Sequence, residues 1–192
     1  MGDQVPLVMP LDDAGAMTSV AGGKGASLGR LARAGFLVPP GFSVTTGAYL
    51  DFLDRDGLGE QLRLVMSSVD ALFAGRPVPA ATAALVAEAY AALGRDAPVP
   101  VAVRSSATVE DLAHLSAAGQ HDTYLNIHGS VAVVDAVRRC WSSLWSARAI
   151  GYRARRGIPP QDVSIAVVVQ RLVPAEAAGV MFTIDPVSGA RD

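Results

Sequence analysis

Two short stretches, each placing one cation among small residues, constrain the fold more than any other feature of the sequence. The apolar run Val99–Val103 predicts a strand that ends at Arg104, and the small residues after it leave room for a ligand. Glycines surround Lys24 just before a helical pattern, so we expect backbone N–H groups there to be accessible to an anion. Both stretches therefore predict contacts with phosphate.

Composition makes Lys24 more informative than its motif alone. The chain has 16 basic residues, and Lys24 is the single lysine among them. A lysine between glycines, in a chain that otherwise uses arginine, indicates a site that requires a compact ammonium; a surface lysine without a role is the alternative. The loop is not a Walker A motif, because Thr18 and Gly25 stand where that motif needs Gly and then Ser or Thr.

The overall composition is that of a folded protein with no obvious surface for nucleic acid. The chain has 192 residues, of which 51% are hydrophobic and 18% charged, and its net charge is -2. A local cluster of arginines precedes Gly157 and Pro159, and we interpret it as a solvated helix end. The cluster consists of Arg148, Arg153, Arg155 and Arg156.

Several class-level exclusions follow from the cysteine count and the apolar runs. Cys140 is the single cysteine, which excludes an internal disulfide and a cysteine-cluster metal site and indicates a reducing compartment. No apolar run approaches the roughly 20 residues that span a bilayer, and the first residues lack a signal-peptide pattern. We therefore expect a cytoplasmic protein with no membrane partner.

Periodicity predicts strands and helices in alternation. Extended segments are predicted at Val5–Leu11, before Val44, at Thr123–Ile127, at Ile165–Val169 and at Gly179–Ile184. Helices are predicted from Gly25 to a C-terminal Gly35, after an N-capping Thr46, in an insert at about 57–94, and from Val133 to Trp145. Cys140, Trp141 and Trp145 fall on apolar helical positions, so we expect them in the core.

The remaining polar clusters differ in what they indicate. Thr108–Asp111 matches a capping box better than a metal site, and His114, His121 and His128 have no zinc spacing, so we interpret them as polar loop or surface residues. By contrast, the backbone near Gly119 and the Thr123 hydroxyl are placed to donate to phosphate oxygens. Gln170, at the end of an apolar strand, is placed to hydrogen-bond a purine edge, with the next residues as one wall of a pocket.

Four longer blocks carry a family resemblance. In chain order they resemble the N-terminal nucleotide-binding domain of the phosphoenolpyruvate synthase and pyruvate phosphate dikinase family, which includes rifampin phosphotransferase. The blocks are GGKGASLGRLARAGFLVPPGFSVTTGAY, VAVRSSATVEDLAHLSAAGQHDTYLNI, CWSSLWSARAIGYRARRGI and VSIAVVVQRLVPAEAAGVMFTIDPVSG. The resemblance covers most of the chain.

The resemblance implies an α+β chain with an ATP-grasp fold, in which a mixed sheet with flanking helices forms the first part of an ATP-binding domain across residues 1–192. It implies ATP as ligand, with Lys24 and Arg104 at phosphate-binding positions, Gly119 and Thr123 in a nucleotide-contacting loop, and Gln170 at the hinge between subdomains. ATP would phosphorylate a histidine on a swivelling domain, which passes the group to pyruvate or rifamycin and leaves AMP and phosphate.

The same resemblance implies which parts of the machinery lie elsewhere. The acidic Mg²⁺ ligands and the phosphorylated histidine belong to segments that this chain does not contain, so we expect no catalytic or metal-ligating residue here and no turnover by the chain alone. The wording GQHDTYLNI leans slightly to the antibiotic-modifying branch. A non-catalytic module that binds a nucleotide or a partner protein is the alternative.

Overall fold

The computed structural model describes residues 5–13, 17–54, 72–73, 75–94, 97–108, 122–156, 158–159 and 163–179. Some predicted features lie outside this set. They are most of the first helix of the insert, most of the Gly179–Ile184 strand, the capping box after Thr108, Gly119, His114, His121 and the side chain of Arg148.

Strands and helices alternate within the described residues, as the periodicity predicts. Their order is β1 (Val8–Pro10), α1 (Thr18–Arg33), β2 (Gly41–Val44), α2 (Thr46–Asp54), α3 (Ala80–Gly94), β3 (Val101–Ala107), β4 (Thr123–Ile127), α4 (Ser130–Ser143), α5 (Ala147–Arg156) and β5 (Ile165–Arg171). The architecture is therefore α+β. None of the described helices is both long and apolar enough to cross a membrane.

The five described strands form one sheet in the order β1-β2-β5-β3-β4. Each of their pairings is antiparallel, so the expectation of a mixed sheet is wrong for this part of the chain. The central strand β5 is the last of the described strands along the chain, and it pairs with β2 on one side and β3 on the other. Pairing between segments so distant in sequence is not determined by local periodicity.

An irregularity marks the outer strand β4. Val101 pairs with Ile127 and Val103 with Tyr124, so β4 contains one residue more than β3 over this interval. Asn126 lies in the extra segment with a positive φ of 58°, which asparagine tolerates better than most residues do. The bulge leaves Arg104 opposite Thr123.

One face of the sheet packs against α2, α3 and α4 to form the main core. Alternate strand residues point to this face because side chains alternate along a strand. The strand residues in the core are Phe42, Val44, Val101, Val103, Ile165, Val167 and Val169. The helices cover them with Tyr49, Phe52, Val86, Tyr90, Val137, Cys140 and Trp141.

Aromatic side chains fill the centre of this core. Trp141 is fully buried, and its ring centroid lies 5.1 Å from that of Phe52. Trp145 is half-buried and donates its indole N–H to the Tyr49 hydroxyl at 2.9 Å. The prediction that the two tryptophans pack in the core is therefore confirmed for Trp141, while Trp145 lies at its margin.

Cys140 and Arg153 are both buried, although only the first was predicted to be. Burial raises the pKa of the Cys140 thiol well above its ordinary value, in keeping with a packed, unreactive cysteine. Arg153 is 5% exposed, and its guanidinium donates to the Leu144 carbonyl at 2.5 Å and lies 5.8 Å from the Trp145 ring. The solvated-helix-end interpretation is wrong for Arg153; Arg155 and Arg156 are exposed.

The helix ends differ partly from prediction. Helix α1 begins at Thr18 rather than Gly25 and is kinked at Gly22, while Gly35 ends it with a φ of 84° as predicted. Thr46 opens α2, but it is not a side-chain N-cap. Its hydroxyl donates to the Ser19 carbonyl at 2.8 Å and so ties α2 to α1.

Candidate functional site

The second face of the sheet, which we call the α1 face, carries small and polar side chains. Strand alternation places Gln170 and Val168 of β5 on it, and the register adds their partners on the neighbouring strands. These partners are Gly41, Ser43, Ala102 and Arg104, and Thr123 of β4 joins the face as the partner of Arg104.

The glycine-rich first part of α1 lies directly on this face. Ser106, two residues after Arg104, accepts a hydrogen bond from the Gly25 N–H at 3.2 Å and donates to the Ala21 carbonyl at 2.9 Å. Gly22, Gly23 and Gly25 are all buried. The expectation that this loop offers its N–H groups to an anion is therefore wrong for Gly25, whose N–H is bonded to a serine.

Gly22 explains why glycine is needed in the loop. Its φ is 67°, a region that side chains disfavour, and a Cβ built there would lie 1.9 Å from the Ser106 carbonyl oxygen. A Cβ at Gly25 would lie 2.9 Å from the Ser43 Oγ. The glycines therefore serve the close approach of α1 to the sheet.

Lys24 projects from this loop and is half-buried. Its charge reaches the neighbourhood of Cys140: burial is the main cause of that thiol's raised pKa, Asp122 raises it further, and Arg139 and Lys24 lower it. The hydrogen bonds of Ser106 to Ala21 and Gly25 place the segment that carries Lys24 against β3.

Arg104 and Thr123 are brought together by strand pairing. They are register partners on β3 and β4, so their side chains lie side by side on one face. Arg104 is half-buried and Thr123 is exposed at the outer strand. A guanidinium and a hydroxyl at this spacing provide donors for the oxygens of a single anionic group.

Gln170 lies further along the same face, opposite Ala102. The offset from Arg104 is one strand across and two residues along, a rise of about 7 Å. Gln170 is buried, and its amide Nε2 donates to the Pro39 carbonyl at 3.1 Å. The side chain is therefore held at the end of β5 rather than free to swing.

An open cleft of about 410 Å³ adjoins Gln170, and its walls are apolar apart from Arg171. Residues 171–174 form one wall, which agrees with the expectation that the residues after Gln170 line a pocket. The other wall consists of residues 37–40, including the Pro39 that holds Gln170. Its lining offers apolar contact to a ligand.

A second cavity, of about 360 Å³, lies on the α4 side of β4 and has a different character. It is lined by Asp122 and Tyr124 together with Arg138, Arg139 and three serines. Both arginines are paired with Asp135, and Arg138 also donates to the Phe73 carbonyl at 2.7 Å. Because Asp135 pairs with both arginines and Asp122 adds a second carboxylate to the lining, this cavity is a poor site for an anion.

The described residues of the α1 face do not form a metal site. Cations, a hydroxyl and an amide are poor ligands for Mg²⁺, which prefers carboxylates. In the part of the chain that the structure describes, no three His, Cys, Asp or Glu side chains cluster as metal ligands. Of the three histidines, His128 is the one that lies within the described residues. It is exposed, and its Nδ1 lies 3.0 Å from the Asn126 carbonyl oxygen.

Comparison with known families identifies the family of this chain. Residues 18–192 match the family described as "Pyruvate phosphate dikinase, AMP/ATP-binding domain". The chain belongs to this family. The stretches that carry Lys24, Arg104, Thr123 and Gln170 all fall inside the matched range, and the resemblance read from the sequence is confirmed.

Curated relatives of this dikinase-type domain carry two kinds of name. A probable phosphoenolpyruvate synthase of Methanothermobacter thermautotrophicus is 46% identical, over 93% of this chain and 28% of its own length. A phosphoenolpyruvate synthase of Aeropyrum pernix is 39% identical, over 97% and 25%. A rifampicin phosphotransferase of a Streptomyces species is 43% identical, over 96% and 23%. The chain therefore spans about a quarter of the length of these relatives.

Sequence reasoning missed two residues of this dikinase-type domain's α1 face. Ser106 was treated only as a small residue after Arg104, and Ser43 was not considered, yet both are fully buried under α1. The alternation of β3 places Ser106 on the same face as Arg104, and this signal was available. No local signal indicated that Ser106 would bond to Gly25, which lies 81 residues away.

Proposed function

We propose that this chain binds ATP on the α1 face as part of a dikinase-type phosphotransferase with an ATP-grasp arrangement. The observation that carries the proposal is the shared face itself. Arg104 and Thr123 are register partners, Gln170 lies on the adjacent strand, and the loop of Lys24 is bonded to Ser106. Membership of an AMP/ATP-binding domain family supplies the ligand class.

The proposed placement of ATP follows from the chemistry of each end of this face. The triphosphate lies near Lys24, Arg104 and Thr123, where two cations and a hydroxyl offset its charge and hold it in line. The base lies toward Gln170 and the apolar cleft formed by residues 37–40 and 171–174. Gly119, in the segment between β3 and β4, is proposed to contact the nucleotide through its backbone.

The proposed reaction is that of the named relatives. A histidine on a separate swivelling domain takes the two terminal phosphoryl groups of ATP and leaves AMP; water then removes the outer group as phosphate, and the remaining phosphohistidine transfers its group to an acceptor. This chain's own residues would bind and orient ATP. The described residues do not fit a Mg²⁺ site, so no step is assigned here to a metal, and its ligands are expected outside this chain. The acceptor is pyruvate or rifamycin.

The first test compares charge removal inside and outside the proposed site. Lys24→Ala and Arg104→Ala, each in the whole protein, should lower phosphotransfer by about 10²-fold, the scale for loss of a preorganised electrostatic contact. Arg33→Ala removes an exposed cation from the last turn of α1, the helix that carries Lys24, and should leave phosphotransfer unchanged. The measurement is the initial rate of AMP formation from ATP. Wild-type rates in both site variants would contradict the assignment.

The second test identifies the acceptor and separates the two functional classes. AMP formation is followed with pyruvate and, separately, with rifampicin. Dependence on pyruvate indicates a synthase, and dependence on rifampicin indicates an antibiotic-modifying enzyme. ATP binding without AMP formation in either assay would favour the non-catalytic module.

A further inference from the structure

Ser106 has a position that the nucleotide contacts alone do not explain. It follows Arg104 by two residues on β3, so strand alternation places both side chains on the α1 face. Unlike Arg104, it is fully buried, at 0% exposure. A residue so covered cannot reach a ligand on the open part of the face, and its role must be exerted through its neighbours.

Its hydroxyl makes two hydrogen bonds that bracket Lys24. The Gly25 N–H donates to the Ser106 Oγ at 3.2 Å, and the Ser106 hydroxyl donates to the Ala21 carbonyl at 2.9 Å. Both bonds are buried and join segments more than 80 residues apart. One hydroxyl thus uses its donor and its acceptor capacity on the same five-residue loop.

The backbone of Ser106 limits the loop from the other side. A Cβ at Gly22 would lie 1.9 Å from the Ser106 carbonyl oxygen and 2.4 Å from its Oγ. The loop is therefore in van der Waals contact with the strand at Gly22 and hydrogen-bonded to it at Ala21 and Gly25. Lys24 has little freedom to move away from β3 while these contacts hold.

We propose that Ser106 is a positioning residue, which fixes the Lys24 loop on the strand of Arg104 so that both cations bind one polyphosphate. This inference rests on the proposed ATP site and adds the group that sets its geometry. Preorganisation matters because a cation that must first be immobilised contributes less to binding. Loss of the hydroxyl would leave Arg104 in place and remove the two hydrogen bonds that hold the Lys24 loop against β3.

The test is a set of ATP titrations on the whole protein. Ser106→Ala should weaken ATP affinity about tenfold, the scale of one to two lost hydrogen bonds, while adenosine affinity stays unchanged. Ser43→Ala is the matched control, because Ser43 is also buried under α1 but its Oγ has no hydrogen-bond partner among the described residues. It should bind ATP like the wild type.

A double variant separates positioning from general weakening of the fold. If Ser106 acts through Lys24, Lys24→Ala with Ser106→Ala should bind ATP no more weakly than Lys24→Ala alone. Additive losses would overturn the inference. Ser106→Thr retains the hydroxyl and should restore most of the affinity, whereas equal losses with Thr and Ala would indicate that packing alone is affected.

Amide hydrogen exchange supplies a readout that needs no nucleotide. The Gly25 amide should exchange faster in Ser106→Ala, with exchange in β5 unchanged. If Lys24→Ala abolishes ATP binding while Ser106→Ala leaves affinity and Gly25 exchange unchanged, the ATP site stands and the positioning role fails. If the wild type binds no ATP, the proposed function fails, and the inference fails with it.

Discussion

The two faces of the sheet contrast sharply in the side chains that they present. Toward α2, α3 and α4 the strands present Phe42, Val103 and Val167, which are buried in the main core. Toward α1 they present Ser43, Arg104 and Gln170. Burial of the first set stabilises the fold by removing apolar surface from water. Burial of the second set is costly unless its polar groups form hydrogen bonds. The core face therefore carries most of the apolar burial, and the α1 face is the one on which we propose that ATP binds.

The largest expected effect tests whether the core face carries stability. Trp141→Ala removes a fully buried side chain in contact with Phe52 and should lower the free energy of unfolding by about 3–5 kcal/mol. Arg104→Ala, on the other face, should change it by less than about 1 kcal/mol. Chemical denaturation measures both. A comparable loss in Arg104→Ala would break the division between the faces.

A somewhat smaller effect concerns how tightly α1 lies on its face. Gly22→Ala combines a positive φ with a Cβ 1.9 Å from the Ser106 carbonyl oxygen. It should lower the free energy of unfolding by about 3 kcal/mol or more. Gly35→Ala, at the other end of the same helix, has a φ of 84° but open space around it and should cost about 1 kcal/mol. Thermal denaturation of both variants compares the costs.

Equal losses of stability in Gly22→Ala and Gly35→Ala would show that backbone strain at positive φ alone causes the loss. In that case the close contact between α1 and the sheet would have no energetic consequence. A larger cost at Gly22 would confirm the contact.

The smallest predicted effect is a pH dependence that arises on the core face. Burial raises the pKa of the Cys140 thiol in the folded state, so the unfolded chain loses its thiol proton first. Stability should therefore fall as the pH rises above the thiol's ordinary pKa of about 9, by about 1.4 kcal/mol at pH 10. Cys140→Ala should remove this part of the slope. An unchanged slope in that variant would contradict the assignment.

Local patterns predicted the elements better than their arrangement. The apolar runs of β3 and β5 and the amphipathic spacing of α4 lie where the sequence placed them, because burial on one side imposes a period that is readable along the chain. The antiparallel pairing of β5 with β2 was not predicted, since register depends on contacts between distant segments.

The candidate site shows the same limit residue by residue. Arg104 and Thr123 were predicted separately, and only the register shows that they are neighbours. The glycines around Lys24 were predicted to leave N–H groups open to an anion, and no local pattern reveals that a serine 81 positions away accepts a hydrogen bond from the Gly25 N–H. Arg153 was predicted to be solvated because the sequence alone does not show that its guanidinium contacts the Leu144 carbonyl and the Trp145 ring.

The bulge in β4 has a consequence for how copies of this domain meet one another. In the described sheet β4 is an outer strand, and such strands can recruit a further strand from a neighbouring molecule. Asn126, with its left-handed backbone, interrupts the regular spacing of donors and acceptors along that border. The left-handed backbone at Asn126 therefore makes the border of the described sheet less regular for another strand to pair with.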